Sequence, residues 1–289
     1  MLEQETFGLL GGDSRQAALA ASLAQDGHSV FAWGLEGLPA APGVQNASPE
    51  DVVARASSIL LPLPVSKDGR RLNAPFAAGS PPELDGAYWR SLRGKTVFGG
   101  QLSRVKTPCP ADLAAHDYAA REEFAVRNAC LTAEGAVEIA LRESERAIAG
   151  SACLVAGYGR IGRALAQLLR AMGARVTASA RKPKDIAWIE ASGCRAVQTS
   201  RVGSGEEPYD LVFNTIPAPV FTRTVLARLK TGCIVIDLAS LPGGVDFSAA
   251  KDLGLKAVQA LSLPGKTAPE SAAEIIKQTV YTILEEEKR

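Results

Sequence analysis

The residues best suited to chemistry lie in the run Gly157-Tyr158-Gly159-Arg160-Ile161-Gly162. It follows the apolar stretch Ala152-Cys153-Leu154-Val155-Ala156 and opens a helical pattern from Arg160 to Met172. A G-x-G-x-x-G run carries information only in that strand–turn–helix setting. The three glycines act differently. Gly157 permits the tight turn, Gly159 lets a pyrophosphate approach the backbone, and Gly162 lets helix and strand pack closely. The helix start then turns N–H groups and partial positive charge toward phosphate. The run predicts dinucleotide binding. A glycine turn kept for packing alone is the competing explanation.

The next strand, Arg175-Val176-Thr177-Ala178-Ser179, reports on the cofactor's ribose. An NAD site places Asp or Glu about 20 residues after the turn, on the ribose hydroxyls. Here the chain reads Ser179-Ala180-Arg181-Lys182, with no carboxylate. A hydroxyl with Arg and Lys suits a 2′-phosphate, because guanidinium pairs with phosphate through parallel bonds. NADP is therefore expected, with NAD still possible and with Arg181 and Lys182 as plain solvated charges the alternative. Two more strand ends should face the same crevice: Asn214-Thr215-Ile216-Pro217 and Asp237-Leu238-Ala239-Ser240. Ligands of open parallel sheets bind beyond the carboxyl ends of strands.

The elements that must position these residues form two alternating strand–helix stretches, which favour parallel sheets. We expect two α/β domains, the second a doubly wound Rossmann sheet, with a cleft between them. Residues 1–118 should form the N-terminal domain, for substrate or partner, and 119–148 connector helices in which Thr132 caps a restarted helix ahead of Glu134. Residues 149–266 should form the nucleotide domain and 267–289 a helix returning toward the first. Lys67 to Pro82 is polar and rich in Gly and Pro, and reads as a loop.

The composition excludes several classes. A formal net charge of +1, with no basic block interleaved with aromatics, speaks against nucleic acid or an anionic membrane as partner. No apolar run approaches the roughly 18–20 residues that span a bilayer. The first residues carry acids where a secretory signal carries Lys or Arg, so a cytoplasmic protein is expected. The five cysteines are scattered without a C-x-x-C pair, and His28 and His116 are the only histidines. No metal site or disulfide framework is expected.

Several runs occur together in one order: Gly11-Gly12-Asp13-Ser14-Arg15-Gln16, Thr132-Ala133-Glu134-Gly135, the glycine turn, Asn214-Thr215-Ile216-Pro217, Asp237-Leu238-Ala239-Ser240 with Pro242 to Phe247, and Leu263-Pro264-Gly265-Lys266-Thr267-Ala268-Pro269. In this combination the chain resembles the A subunit of dipicolinate synthase, the enzyme of spore-forming bacteria, over most of its length but not between Ser66 and Lys95. The resemblance implies oxidation of a dihydrodipicolinate-type ring, from the diaminopimelate–lysine pathway, to pyridine-2,6-dicarboxylate with NAD(P)⁺ as hydride acceptor. It also implies a flavoprotein-like B subunit of dipicolinate synthase as partner, expression in the sporulating mother cell, and a small dicarboxylate substrate.

Such a substrate needs cationic or N–H donors at both ends. Arg15, just after the first glycine turn, and Lys266, in a Pro-Gly-Lys-Thr loop with Thr267, are the candidates, with Thr132 beside them. Glu134 and Asp13 are candidate proton acceptors, and Lys266 a third catalytic candidate; Asp237 is set aside as a loop brace. Two other readings stay open: a different two-domain dehydrogenase, of 2-hydroxyacid or methylenetetrahydrofolate type, and a non-catalytic nicotinamide-binding scaffold for the flavoprotein partner. A homo-oligomer is possible.

Overall fold

The computed structural model describes residues 4–204 and 209–288. They divide into two units, one built from the chain up to Asn128 together with the chain from Ala268 onward, the other from Ala129–Thr267. Each is a six-stranded, fully parallel sheet.

In the first unit the strands are β1 (Thr6–Leu10), β2 (Ser29–Trp33), β3 (Val44–Asn46), β4 (Ser58–Leu60), β5 (Thr96–Gly99) and β6 (Ala115–Asp117), in the order β3-β2-β1-β4-β5-β6. The helices are α1 (Ser14–Gln25), α2 (Pro49–Arg55) and α3 (Gly86–Ser91). That order is the doubly wound arrangement of dinucleotide-binding domains. A parallel sheet is covered on both faces, so its strands need apolar residues on both sides. Phe7 and Leu9 of β1 accordingly enter one buried cluster, with Leu19, Leu23 and Phe98, while Leu10 enters the other, with Ile59 and Trp89.

A single helix, α4 (Glu122–Glu143), runs from the first unit into the second. It passes straight through Thr132, which is buried at 7% exposure. The expected restart capped by Thr132 is therefore absent: the apolar spacing carries through it, and mid-helix Thr is tolerated.

The second unit holds β7 (Ala152–Ala156), α5 (Arg160–Ala171), β8 (Arg175–Ala180), α6 (Pro183–Ala191), β9 (Arg195–Gln198), β10 (Leu211–Asn214), α7 (Arg223–Leu226), β11 (Ile234–Asp237), α8 (Phe247–Asp252), β12 (Lys256–Gln259) and α9 (Leu263–Thr267). Its sheet order, β12-β11-β10-β7-β8-β9, repeats that of the first unit. Cys153 and Val155 face one cluster, Leu154 and Ala156 the other.

The last helix, α10 (Pro269–Glu287), completes the first unit. Its stripe Ile276, Val280 and Ile283 joins Leu19 and Leu23 of α1 in one core. Beside that stripe Lys277, 8% exposed, donates to Asp26 at 2.8 Å and Glu274 at 3.1 Å. Tyr281 donates its hydroxyl to the same Asp26. Among the described residues no helix is long and apolar enough to cross a membrane, and no group of His, Cys, Asp or Glu side chains is placed to hold a metal ion.

Candidate functional site

The glycine turn of the second unit joins β7 to α5. Gly157 has φ +96°, a backbone that favours glycine, and a Cβ there would strike Thr215 and Ile216. A Cβ on Gly162 would run into the Gly157 carbonyl, so the first turn of α5 lies directly on the loop. Gly159 differs from both. It is exposed, and nothing lies within 4 Å of where its Cβ would be. It is also the N-cap of the twelve-residue α5, with no side chain capping the helix. Two glycines are demanded by the protein's own packing and the third keeps open space before a helix start. A pyrophosphate fits that cradle.

The neighbouring strand ends brace the turn. Thr215 donates its hydroxyl to the Ala156 carbonyl at 2.8 Å. Asn214 and Asp237, both at 0% exposure, end β10 and β11. Asn214 donates Nδ2 to Asp237 Oδ1 at 2.8 Å and to the Ile216 carbonyl, and accepts the Ile216 N–H. Asp237 also accepts the N–H groups of Ala239 and Gly244. This pair fixes the two loops beyond the strands; Leu238 and Ala239 are buried, and Pro217 and Ser240 exposed.

Ser179 does not stand where the sequence suggests. Its side chain is fully buried, accepting the Gly157 N–H at 3.2 Å and sharing a hydrogen bond with Thr199. The strand continues to Ala180, and the pleat turns the Ser179 hydroxyl under the turn, away from solvent. Only Arg181 and Lys182 of that group are exposed, and neither has a partner among the described residues. The first carboxylate after the strand is Asp185, 3.3 Å from Arg163. Tyr158 and Arg163 interlock, the guanidinium lying over the Tyr158 ring and Nε donating to its carbonyl.

The first unit has a glycine turn of its own, and it is closed. Gly12 donates its N–H to the Asn73 carbonyl at 2.8 Å, and a Cβ on Gly11 would meet that same oxygen. The segment expected to be a loop is thus folded over the turn, tied down by Asn73 Nδ2 to the Pro64 carbonyl and by Ser66 to the Arg71 carbonyl. Arg15 is 7% exposed. Its Nε and one Nη2 bond meet the two oxygens of Asp13 at 2.9 and 2.8 Å, and Nη2 also reaches the Leu63 carbonyl. Asp13 in addition caps α1 through the Arg15 N–H. Nη1 of Arg15 remains without a partner among the described residues.

Glu134 is exposed on α4 without a partner among the described residues. Lys266 lies in the short helix α9, not in a loop, because Leu263 and Thr267 pack onto Gly135 of α4. With Thr267, Glu138, Arg142 and Gln259 it lines a cavity of about 480 Å³. Thr132 and Glu134 are not among the residues lining it.

Residues 6–106 match the family model for the N-terminal domain of the dipicolinate synthase A subunit. Residues 124–240 match the NAD-binding domain of D-isomer specific 2-hydroxyacid dehydrogenases. The chain is 34% identical over 166 residues to the dipicolinate synthase A subunit of Bacillus subtilis, 57% of this chain and 56% of that one. The aligned stretch thus spans a little over half of that relative. Two solved structures extend the likeness to the whole chain. The dipicolinate synthase A subunit from Bacillus halodurans superposes with a TM-score of 0.83 at 27% identity, covering 98% of this chain and 99% of that one. The dipicolinate synthase A chain from Bacillus subtilis gives 0.83 at 26%, covering 99% and 97%. The chain is therefore similar to dipicolinate synthase A subunits in its N-terminal match, in the 166 aligned residues and in its whole fold.

The half that matches the NAD-binding model is the one with the open Gly159 cradle, and the half that matches the dipicolinate synthase model is the one whose turn Asn73 closes. Sequence reasoning missed two residues of this arrangement. Thr199 sits in the short turn after the edge strand β9, whose mixed polarity hides it. Asn73 acts through its backbone carbonyl, which any residue type supplies.

Proposed function

We infer that the chain is an NADP-dependent oxidoreductase that converts a dihydrodipicolinate-type ring to pyridine-2,6-dicarboxylate, working with a flavoprotein-like B subunit in a sporulating cell. The observation that carries the reading is the exposed, sterically empty Gly159 at the start of α5, beside a strand end bearing Arg181 and Lys182 in place of a carboxylate. Bound there, the cofactor supplies the hydride acceptor. The chain's own residues hold and orient. Gly157, Gly159 and Gly162 seat the pyrophosphate, Arg181 and Lys182 take the 2′-phosphate, and the Asn214–Asp237 pair sets the loops carrying Thr215 to Pro217 and Leu238 to Ser240.

On the substrate side, Arg15 is the carboxylate anchor. Asp13 locks its guanidinium plane, which reduces the entropy lost when a carboxylate binds the free Nη1 edge. That makes Asp13 a positioning residue. Glu134, exposed and unpaired, is the proton acceptor of choice as the ring becomes aromatic. Lys266 and Thr267 with Thr132 offer further donors. A 2-hydroxyacid substrate fits less well, since neither His28 nor His116 lies in the nucleotide-binding unit to serve as acid–base group.

The test is an assay of the full chain, with and without the flavoprotein-like partner, following pyridine-2,6-dicarboxylate absorbance with NADP⁺ and with NAD⁺. Product formation that needs this chain, prefers NADP⁺ and falls at least tenfold in Arg15→Gln supports the reading. Cofactor binding without turnover under both conditions leaves the scaffold reading in its place.

A further inference from the structure

A second site stands apart from the strand ends. Between α5 and α6 lies a cavity of about 380 Å³ lined by Tyr158, Arg163, Arg170, Trp188, Ser192 and Cys194 among others. Its walls are mainly apolar, yet two guanidiniums line it and no carboxylate does. Trp188 is 62% exposed and is the single exposed large aromatic among the described residues. Its indole gives the groove an accessible aromatic face on which a ring can stack.

The cations are held in place. Arg170 donates Nη1 to the Ser192 carbonyl and lies against Gly193. Arg163 donates to the Tyr158 carbonyl, stacks on the Tyr158 ring and is offset by Asp185 at 3.3 Å. Tyr158 reaches across the opening, its hydroxyl 3.2 Å from Ser192 Oγ. Each guanidinium keeps further N–H donors beyond those bonds.

The geometry points to a binding site for a small aromatic carboxylate in this groove. The ring stacks on Trp188 and the apolar floor, and the carboxylate meets Arg170 and Arg163. The volume is at the small end of ligand pockets, which suits a single ring. Aromatic stacking and guanidinium–carboxylate pairing are the two interactions the lining provides. Tyr158 belongs to both the groove and the glycine turn, so the ligand lies behind the turn without occupying the Gly159 cradle.

The proposal stands independently of the reaction assigned above. Benzene-1,3-dicarboxylate is titrated into the full chain by calorimetry, with hexanedioate as the aliphatic dianion of equal charge. We expect saturable one-to-one binding, at least tenfold weaker for hexanedioate, and retained in the presence of saturating NADP⁺. Trp188→Ala removes an exposed side chain and should leave the melting temperature unchanged while weakening binding at least tenfold; Arg170→Gln should weaken it as much. Loss of binding under NADP⁺, equal affinity for the two dianions, or unchanged affinity in Trp188→Ala overturns the assignment. So does a response of Trp188 fluorescence to an acidic peptide with none to the aromatic dianion, which makes the groove a protein-docking surface.

Discussion

Ser179 Oγ lies 3.2 Å from the Gly157 nitrogen and accepts its N–H from a fully buried position. The strand end that in an NAD site would reach the ribose instead holds the glycine turn from beneath. Ser179→Ala leaves a half-buried N–H without its partner, a loss of about 1 kcal/mol. Because the hydroxyl supports the turn and does not face the 2′ position, affinity for NAD and NADP should fall by the same factor. Dissociation constants for both, at one ionic strength, check this; a loss confined to NADP would return Ser179 to the phosphate.

Gly162 and Gly159 separate folding from binding. A Cβ on Gly162 meets backbone that cannot move aside, so Gly162→Ala should destabilise the protein by about 1–3 kcal/mol. Gly159 has extended dihedrals that any residue adopts and open space around it. Gly159→Val should therefore melt within about 0.5 kcal/mol of the parent and yet bind dinucleotide at least tenfold more weakly. Thermal unfolding paired with calorimetry reads both; a destabilised Gly159→Val that still binds would contradict the cradle.

The proposed preference for NADP rests on Arg181 and Lys182. Replacing both with alanine should weaken NADP at least tenfold and NAD much less, because only NADP carries the 2′-phosphate proposed for them. Raising the salt concentration should shrink the difference without reversing it, since both side chains are exposed. Equal losses would place the pair on the shared pyrophosphate.

How far the sequence shows all this depends on what each feature is made of. The turn, β7, β8, β10 and β11 are legible because each couples an apolar run to a glycine or polar stop. The four edge strands β3, β6, β9 and β12 offer far less: they read Val-Gln-Asn, Ala-His-Asp, Arg-Ala-Val-Gln and Lys-Ala-Val-Gln, and an edge buries too little for a pattern. The repetition of one strand order in both units is hidden for the same reason. Arg15 is a candidate from its place after Gly11-Gly12, but its burial against Leu63 and Asp13 depends on a contact 48 residues away. Lys266 reads as a loop residue because Pro264 and Gly265 flank it; Gly135, distant in sequence, lets that segment pack as a helix. Ser179 has the right type and spacing for a ribose contact, and the strand's last residue, Ala180, reverses its direction.

The anchoring of α10 gives a prediction in pH. Burial alone would raise the Asp26 carboxyl, but hydrogen bonds from Lys277 and Tyr281 outweigh it and leave its pKa below the ordinary 3.8. Burial likewise works against charged Lys277, and the bonds to Asp26 and Glu274 overcome it, holding its pKa above 10.5. The carboxylate's contribution is present above pH 3.8 and is lost as pH falls through the lowered folded value. The ammonium's contribution is present below pH 10.5 and is lost as pH rises through the raised one. Lys277→Met keeps the stem's packing and removes the charge. Its partners are partly exposed, so the cost should be about 1 kcal/mol. The stability gap from the parent should stay constant between about pH 7 and about pH 9 and close at both extremes. His28, whose pKa is lowered from 6.5 by burial first and also by the Lys277 charge, destabilises the parent more than the variant as pH drops, so it narrows the gap below about pH 6.5. Denaturant melts of the two proteins across pH measure it; a gap as wide at about pH 3 as at about pH 7 would show that Lys277 acts through packing and not through Asp26.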